Sequence, residues 1–305
     1  MDKDNLKDSY KKAMKKNKGN KKAQIITTIV FGIIAVVTMI FGGDIKEVVT
    51  PVEGTMKVHY IDVGQGDATL IQVNGQNLLI DAGPNKSSDN LVKYIKDLGV
   101  STIDHVVATH PHEDHIGGMD VIFAEFEVKN FYSPKVEHTT KTFEKMMQAV
   151  SNEGLKVTTI KAGDNSKINL GDGTKVEIFS PVSETYDNLN NYSPIMKITF
   201  GENSFLFTGD AEKLVEKQVL ANGENLNSDV LKVGHHGSTT SSSEDFIKEV
   251  SPEIAVIPVG EGNDYGHPHK EILELLQKNN IELLRTDLEG TVVLESNGST
   301  ISIKN

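Results

Sequence analysis

The segment spanning residues 109–118 constrains the fold and chemistry of this chain more than any other. It reads Thr-His-Pro-His-Glu-Asp-His-Ile-Gly-Gly, which places the imidazoles of His110, His112 and His115 and the carboxylate of Asp114 within six residues. Zinc and similar divalent ions bind neutral imidazole nitrogen and carboxylate oxygen. A solvated histidine-rich loop is the alternative, but the alternating spacing and the flanking glycines favour a metal site.

The residues around this segment predict that it connects a strand to a helix. Val-Val-Ala at 106–108 is typical of a buried strand, and the Gly-Gly pair begins a helical stretch. Side chains alternate along an extended chain, so the first two histidines point the same way. The following turn can aim the aspartate and the third histidine at a second point nearby. One short loop could therefore supply ligands to two adjacent ions.

The composition narrows the choice of ligands and partners. The 305 residues include no cysteine, which excludes disulfides, thiolate ligands and a lipoprotein anchor. The net charge is -12, whereas proteins that grip long nucleic acids usually carry a basic stripe. Metal binding must depend on histidine and carboxylate side chains, and processive binding of duplex DNA is not expected.

The N-terminal region predicts a membrane anchor. Residues 1–22 contain nine lysines and three aspartates, and an apolar run from Ile25 to Phe41 follows. About 17 to 25 residues are needed to span a bilayer, and a lysine-rich flank keeps an N-terminus in the cytoplasm. A cleaved signal peptide is the alternative, although no small-x-small cleavage site follows the run. The predicted organisation is a basic cytoplasmic segment at 1–22, a single-pass signal anchor at 23–43, a linker at 44–54 and one extracytoplasmic domain at 55–305.

The domain has the alternating pattern of a mixed α/β protein. Ten runs rich in β-branched residues predict strands at 55–63, 68–73, 78–80, 105–108, 175–179, 195–200, 205–207, 230–233, 254–258 and 291–294. Five amphipathic stretches predict helices at 90–98, 143–150, 211–220, 243–250 and 270–278. This pattern suits two sheets packed face to face with helices outside. Asn74-Gly75 and the Gly-Asp-Gly at 171–173 predict hairpins.

Five further motifs accompany the histidine-rich segment along the chain. They are His-Tyr-Ile-Asp-Val-Gly-Gln-Gly-Asp-Ala at 59–68, Leu-Ile-Asp-Ala-Gly at 79–83, Phe-Thr-Gly-Asp-Ala-Glu at 207–212, Leu-Lys-Val-Gly-His-His-Gly-Ser at 231–238 and Tyr-Gly-His-Pro-His at 265–269. Together they resemble the metallo-β-lactamase superfamily, whose signature is His-x-His-x-Asp-His. Within it, they are similar to the hydrolase domain of ComEC competence proteins and its relatives, including choline-phosphate esterases. The resemblance covers Thr55 to Asn305 and implies an αββα sandwich.

The resemblance also implies a centre of two divalent ions, zinc or manganese. Six side chains would hold them: His110, His112, Asp114, His115, Asp210 and His236. His110 and His112 would bind the first ion, and Asp114 and His115 would bind the second. Asp210 would bridge both ions. As an alternative, Asp210 could cap the following helix. His235 and His236 compete for one place at the second ion, and the spacing favours His236, with His235 at the substrate oxygen.

Other residues receive roles from the same resemblance. The expected catalytic groups are Asp114, His235, His267 and Asp81, and the expected substrate contacts are Asn191, Ser193, Tyr265 and His267. Asp62, Gln65, Asp67 and Asp81 would support the ligands from behind, although simple turn chemistry is the alternative for Asp67 and Asp81. A structural role is likewise the alternative for His267.

One expected ligand is missing from this sequence. Many superfamily members have a histidine between the histidine-rich loop and the bridging aspartate, but here no histidine occurs between His138 and His235. The Asn-Asn-Tyr-Ser stretch at 190–193 offers weak oxygen ligands or substrate contacts instead. Manganese or a more hydrated ion is therefore plausible beside zinc at the first site.

These features predict a metal-dependent hydrolase that acts outside the membrane. The expected reaction is phosphodiester hydrolysis by activated water, on a short nucleic acid or a wall or lipid phosphodiester, with no nucleotide cofactor. One alternative is hydrolysis at carbon, of an ester, lactone or β-lactam. Another is a non-catalytic competence or envelope component that uses the fold to bind a partner.

Overall fold

Two mixed β-sheets form the centre of the fold in the computed structural model, which describes residues 54–304. The strands are β1 Met56–Tyr60, β2 Thr69–Val73, β3 Gln76–Ile80, β4 Thr102–Ile103, β5 His105–Val107, β6 Glu127–Val128, β7 Phe131–Ser133, β8 Val157–Thr159, β9 Thr174–Ile178, β10 Met196–Phe200, β11 Asn203–Phe207, β12 Val230–Lys232, β13 Ile254–Ile257, β14 Glu282–Arg285, β15 Val292–Ser296 and β16 Ile301–Ile303. The α-helices are α1 Ser88–Asp97, α2 Glu113–Ile116, α3 Met119–Glu125, α4 Lys141–Asn152, α5 Lys213–Ala221, α6 Glu244–Val250, α7 Lys270–Lys278 and α8 Thr286–Glu289.

The first sheet has eight strands in the order β16-β15-β1-β2-β3-β5-β7-β8. Its β15, β1, β2 and β3 are antiparallel, and Asn74-Gly75 forms the predicted two-residue turn between β2 and β3. From β3 onward the neighbours β5, β7 and β8 are parallel. The carboxyl ends of β3 and β5 therefore lie side by side.

The second sheet has six strands in the order β14-β13-β12-β11-β10-β9. The strands β9, β10 and β11 are antiparallel, whereas β11, β12, β13 and β14 run parallel. The carboxyl ends of the parallel strands therefore share one edge. A separate pair, β4 and β6, completes the strands of the described region.

Three apolar cores give the fold its four layers. The facing sides of both sheets enclose one core, to which Val58 and Ile71 contribute from the first sheet and Ile198 and Phe205 from the second. A second core packs α1, α3 and α4 on the outer side of the first sheet, and a third packs α5, α6 and α7 on the second. The predicted mixed α/β sandwich of two sheets between helices is confirmed.

The sequence patterns missed several short elements. They did not indicate β4, β6, β7, β8, β14 or β16, which have two to four residues each. Runs this short show too few side chains for an alternating pattern. The hairpin expected at 171–173 is also wrong, because β8 belongs to the first sheet and β9 to the second. The glycine-rich turn belongs to the connection between the sheets.

The predicted cytoplasmic segment, the anchor and all but the last residue of the linker lie outside the described residues. Within residues 54–304, no helix combines the length and the apolar character needed to cross a membrane.

Gly117 allows α2 to pack against the neighbouring loop. It has ordinary helical dihedral angles (φ -58°, ψ -41°), but an added Cβ would lie 2.3 Å from the backbone nitrogen of Asn85 and 2.6 Å from the carbonyl carbon of Pro84. The backbone amide of Ala82 also donates to the carbonyl of His115 at 2.7 Å. This close approach fixes the short helix that carries Asp114 and His115 within the histidine-rich segment.

We expect Gly117→Ala to lower the free energy of unfolding by about 2 to 3 kcal/mol, because backbone rather than flexible side chain must move. Gly99→Ala is the control, since Gly99 has a φ of +77° but nothing within 4 Å of an added Cβ. Its left-handed backbone should cost only about 1 kcal/mol. Urea unfolding monitored by circular dichroism measures both values, and equal stability of Gly117→Ala and wild type would contradict the packing described.

Candidate metal centre

The carboxyl ends of strands from both sheets converge on one cluster of histidines and aspartates. Asp81 follows β3 directly, and the histidine-rich loop follows β5. From the second sheet, Asp210 lies beyond β11, and His235 and His236 lie beyond β12. Parallel strands direct their carboxyl ends to the same edge, and irregular loops there can carry functional groups on a rigid support. Residues far apart in the sequence therefore meet at one edge of the sandwich.

Four side chains surround the position predicted for the second ion. Asp210 Oδ2 lies 3.2 Å from His115 Nε2 and 3.7 Å from His236 Nε2. Asp114 Oδ2 lies 3.4 Å from His236 Nε2 and 3.9 Å from His115 Nε2. Ligand atoms about 2.1 Å from one zinc ion lie roughly 3 to 3.5 Å from one another, so this set needs only small movements to hold an ion.

The position predicted for the first ion has fewer groups. His110 Nε2 lies 3.0 Å from His112 Nδ1 and 3.9 Å from Asp210 Oδ2. His235 Nε2 is 3.6 Å from the same aspartate oxygen. Asp210 thus stands between the two groups of imidazoles, as a bridging ligand would. The histidine that is missing from the sequence between His138 and His235 thus corresponds to a less complete ligand set at the first position.

Buried atoms without hydrogen-bond partners show that the cluster fits metal ions. His115 Nε2, His236 Nε2 and Asp210 Oδ1 are all buried and unpaired. Leaving such atoms unsatisfied is costly, and an ion would satisfy all three. Two overlapping groups of three candidate ligands also have ligand atoms within 4.8 Å of one another. One group is His110, His115 and Asp210, and the other is Asp114, His115 and His236.

The electrostatics of the cluster favour a bound cation. Burial lowers the pKa of His115, but Asp210, Asp114 and Asp81 outweigh it, so the pKa lies well above its usual value. Burial also lowers the pKa of His236, but mainly Asp210 and Asp67 outweigh this effect and raise the pKa to about 10. His110 shows the opposite direction, because burial and the neighbouring His115 hold its pKa well below the usual range. Positive charge is thus stabilised most strongly at the second ion's position.

Asp81 fixes the orientation of His115. Its carboxylate accepts hydrogen bonds from the backbone amide of Thr109 at 2.8 Å, from the Thr109 hydroxyl at 2.7 Å and from His115 Nδ1 at 2.8 Å. Burial raises the pKa of Asp81, and these donors oppose that effect. The Nδ1 proton leaves Nε2 of His115 free to face Asp210 and Asp114. Asp81 is therefore placed to orient a ligand rather than to contact a substrate.

His235 and His236 have different environments although they are adjacent. His236 is 1% exposed and its Nδ1 donates to the carbonyl of Pro258 at 2.9 Å, so its Nε2 faces the centre. The His235 side chain is 22% exposed and bonds through Nδ1 to the Thr240 hydroxyl at 2.9 Å. Both residues have positive φ values, 50° and 52°, which are uncommon for residues with a Cβ and concentrate at functional sites.

A cavity of about 360 Å³ opens above the cluster. Its lining includes Gln65, His112, Glu113, Asp114, Asp210, His235, His236, Tyr265 and His267. Tyr265 is 66% exposed, and its ring stacks on His267 with 5.6 Å between centroids. Burial and the nearby His235 and His236 lower the pKa of His267 to about 4, so this imidazole is neutral at pH 7. The cavity gives a small polar substrate access to the cluster.

Two predicted substrate contacts, Asn191 and Ser193, lie beneath the cluster instead. Asn191 Oδ1 accepts a hydrogen bond from the backbone amide of Glu212 at 3.1 Å. Ser193 is fully buried, and its hydroxyl accepts from the backbone amide of Asp210 at 3.1 Å and lies 3.3 Å from His110 Nδ1. This geometry does not support substrate contacts at either residue. Their positions support Asp210 and His110 from below.

The residues of the Gly-Gln-Gly-Asp turn have separate surroundings. Asp62 is exposed and its carboxylate accepts from the backbone amide of Gly64 at 3.0 Å, which is ordinary turn chemistry. Gln65 lines the cavity and accepts from the backbone amide of Gly260 at 3.2 Å. Asp67 is 2% exposed and its Oδ1 lies 3.4 Å from His236 Nδ1. Of these three, Asp67 is the one placed directly behind a candidate ligand.

Sequence reasoning gave no role to Thr109 or Lys232, and it offered Asn190 only as part of the stretch of weak oxygen ligands or substrate contacts at 190–193. Thr109 bonds to Asp81 and lies against His110, and it could have been noticed as the residue that begins the motif. The Asn190 amide lies 3.5 Å from His235 Nδ1, while its buried oxygen has no partner. Lys232 lies within an apolar strand and is 3% exposed. A charged residue in such a strand is itself a signal, because lysine is rarely buried without a partner.

The sequence model of the metallo-beta-lactamase superfamily matches residues 61–261. The chain belongs to this superfamily. That range includes the histidine-rich loop, Asp210 and the adjacent His235 and His236, so the family match and the cluster of ligands coincide.

The similar curated proteins place this superfamily member in its ComEC-like branch, as the motifs predicted. It is 34% identical over 254 residues to ComE operon protein 3 of Bacillus subtilis, covering 77% of this chain and 32% of that protein. Recombination protein 2 of Haemophilus influenzae is 30% identical over 243 residues, which cover 78% of this chain and 28% of that protein. Competence protein ComA of Neisseria gonorrhoeae is 30% identical over 233 residues, which cover 76% of this chain and 31% of that protein. The chain spans about a third of the length of these relatives.

Solved structures share the superfamily fold at low sequence identity. The metallo-beta-lactamase fold protein YhfI from Bacillus subtilis aligns with a TM-score of 0.53 and 16% identity, over 80% of this chain and all of that one. CmlA, a diiron beta-hydroxylase from Streptomyces venezuelae, aligns with a TM-score of 0.51 and 15% identity, over 82% and 57% of the two chains. At these identities the likeness concerns the fold alone.

The different surroundings of His235 and His236 generate a prediction for this metallo-β-lactamase-fold centre. We expect His236→Ala to weaken binding of the second zinc ion at least about tenfold, because the variant loses a buried imidazole that faces Asp114 and Asp210. His235→Ala should still bind two ions. Zinc content after dialysis against a graded chelator series distinguishes the variants. Loss of an ion from His235→Ala with retention in His236→Ala would reverse the assignment.

Proposed function

We propose that this protein is a two-metal phosphodiesterase. One observation carries the proposal: a single oxygen of Asp210 lies 3.2 to 3.9 Å from Nε2 of four imidazoles. These are His110, His115, His235 and His236. A carboxylate with imidazoles on both sides is suited to bridging two ions, and the cavity above Asp210 is open to a substrate.

The residues present fit zinc or manganese, with the second position the more complete. Two such ions would supply an activated water and would neutralise negative charge that develops on the phosphate. Asp81 and the carbonyl of Pro258 hold the Nδ1 protons of His115 and His236, which keeps the two Nε2 atoms directed at Asp210 and Asp114, where they would hold an ion. This preorganisation spares the ligands from reorienting during the reaction.

His235 and His267 are assigned to the substrate. Burial lowers the pKa of both imidazoles, and both line the cavity. Neutral imidazoles are poor proton donors at pH 7, so we assign them hydrogen bonds to phosphate oxygens. Hydrolysis adds a hydroxyl group from water to phosphorus, breaks one phosphorus–oxygen bond and leaves a proton on the departing alcohol.

The size and charge of the chain support a small or single-stranded phosphodiester substrate. The cavity of about 360 Å³ admits a few groups around a phosphate, and the net charge of -12 disfavours extended electrostatic contact with duplex DNA. The relatives named for competence and recombination favour nucleic acid as the source of that phosphate. A wall or lipid phosphodiester has the same reacting group and is the second candidate source.

We further propose that the reaction occurs outside the cell membrane, with the chain held by one N-terminal span. The support is the sequence pattern alone: nine lysines in residues 1–22 precede the apolar run from Ile25 to Phe41. Fusing a reporter enzyme that functions only outside the membrane to the C-terminus tests the orientation. An active reporter is expected, and an inactive but stable fusion would contradict the proposal.

The activity is tested with the full chain loaded with zinc or manganese. We expect hydrolysis of bis-(p-nitrophenyl) phosphate and of a short single-stranded oligonucleotide, and no turnover of nitrocefin at ordinary enzyme rates. Asp210→Asn should lower kcat/KM at least about a thousandfold, because the bridging carboxylate is lost. Initial rates across substrate concentrations give the comparison.

Asp104→Asn is the matched control for this experiment. Asp104 is buried like Asp210, at 8% against 2% exposed, but it accepts from Lys129 and the backbone amide of Asn77, outside the cavity of the centre. Its substitution should leave kcat/KM of the folded protein within about twofold. Failure of the metal-loaded wild type to cleave either phosphodiester would exclude the proposal, and rapid nitrocefin turnover would favour hydrolysis at carbon.

A further inference from the structure

A buried lysine lies behind the second ion's position. Lys232 ends β12 and is 3% exposed. Its ammonium contacts the carboxylate of Asp67, the carbonyl of Gly209 at 3.0 Å and the carbonyl of Val233 at 3.4 Å. The two carbonyls accept hydrogen bonds from the ammonium, and the Asp67 carboxylate neutralises its charge. The neighbouring cavity measures only about 10 Å³, which is the lower limit for a single water.

Asp67 connects this lysine to the candidate ligands. Its Oδ1 lies 3.4 Å from His236 Nδ1, and its Oδ2 lies 3.8 Å from His115 Nδ1. Both imidazoles present their opposite nitrogen, Nε2, to Asp114 and Asp210. The backbone amide of Asp67 also donates to the carbonyl of Asp114 at 3.0 Å. A carboxylate in this position adds negative charge behind both imidazoles, beside the Asp81 carboxylate and the Pro258 carbonyl that accept their Nδ1 protons.

The same carboxylate is near enough to compete for an ion. Asp67, Asp210 and His236 offer atoms within 4.8 Å of one another, so an unrestrained Asp67 could enter the ligand set. Lys232 opposes this because it holds the Asp67 carboxylate by charge-assisted contact, behind the imidazoles. A buried Asp67 without Lys232 would be an uncompensated charge.

We propose that Lys232 is a positioning residue of the metal centre, which holds Asp67 behind His236 and His115 and so directs both ligand nitrogens at the second ion. The lysine contacts neither ion nor substrate in this role. The inference rests on the proposed metal centre but not on the substrate, because its effect is on how the ion is held.

The test measures metal binding by Lys232→Met in the full chain. Methionine keeps much of the length of the side chain without its charge. Zinc affinity, measured by competition with a chromophoric chelator, should fall at least about tenfold. The visible spectrum of the cobalt-loaded protein should also change, because the ligand geometry around the ion changes. A residue needed only for folding would leave both properties unaltered in the folded fraction.

Lys197→Met is the matched control. Lys197 is 6% exposed in β10 of the same sheet, and its ammonium contacts the backbone carbonyls of Asn225 and Asn227. Its removal also deletes a buried ammonium, but one without a link to the histidines. Zinc affinity and the cobalt spectrum of this variant should match those of wild type.

A double variant keeps the test decisive if Lys232→Met does not fold. Asp67→Asn combined with Lys232→Met removes both charges, so no uncompensated charge is left buried. Because the lysine acts through Asp67, the double variant should bind zinc about as weakly as Asp67→Asn alone. Wild-type affinity in Lys232→Met or in the double variant would overturn the proposal, as would equal weakening by Lys197→Met.

The outcomes also separate this proposal from the proposed activity. A wild-type protein that binds zinc but cleaves no phosphodiester would contradict the activity, while the effect of Lys232→Met on zinc affinity would still decide the role of the lysine. A wild-type protein that binds neither zinc nor cobalt would overturn both.

Discussion

The concentration of negative charge at one edge of the sandwich is the constraint on which the site depends. Asp67, Asp81 and Asp210 are at most 2% exposed and lie around the same histidines, and Asp114 adds a fourth carboxylate. Buried carboxylates must be neutralised or fully hydrogen-bonded. The fold meets this need differently at each one: Lys232 faces Asp67, three donors face Asp81, and Asp210 faces imidazoles with one oxygen unpaired. Divalent ions would complete this balance of charge.

The two sheets make such a concentration possible. Asp81 and the histidine-rich loop come from the parallel strands β3 and β5, whereas Asp210, His235 and His236 come from the parallel strands β11 and β12. The apolar core between the sheets fixes the separation of these strand ends, and the helices outside cover the remaining faces. Ligands carried on loops are thereby held by rigid strands, which is the condition for a preorganised centre.

The superfamily membership and the geometry agree on hydrolytic metal chemistry, and the two sides of the centre differ in the side chains they offer. The second ion's position has four converging side chains supported by Asp81, Pro258 and Asp67. The first has His110, His112 and a shared carboxylate, with His235 nearby on the exposed side. The proposed two-ion centre would therefore hold one ion more firmly than the other. The absence of any histidine between His138 and His235 leaves the first position with fewer ligands.

The sequence by itself determined the fold class and the longer strands and helices, and it predicted the candidate ligands of the histidine-rich segment, because hydrophobic periodicity and the spacing of His110 to His115 are local properties. It also singled out Asp210 and the His235–His236 pair. It could not show that Asn191 and Ser193 bond inward, or that β8 and β9 lie in different sheets, since both depend on packing between distant segments. Only the tertiary structure turned His236 inward and His235 toward the cavity, and only it placed Lys232 against Asp67. Adjacent histidines have the same local sequence signal, whereas their directions depend on backbone angles and on partners such as Pro258 and Thr240 that the fold brings near.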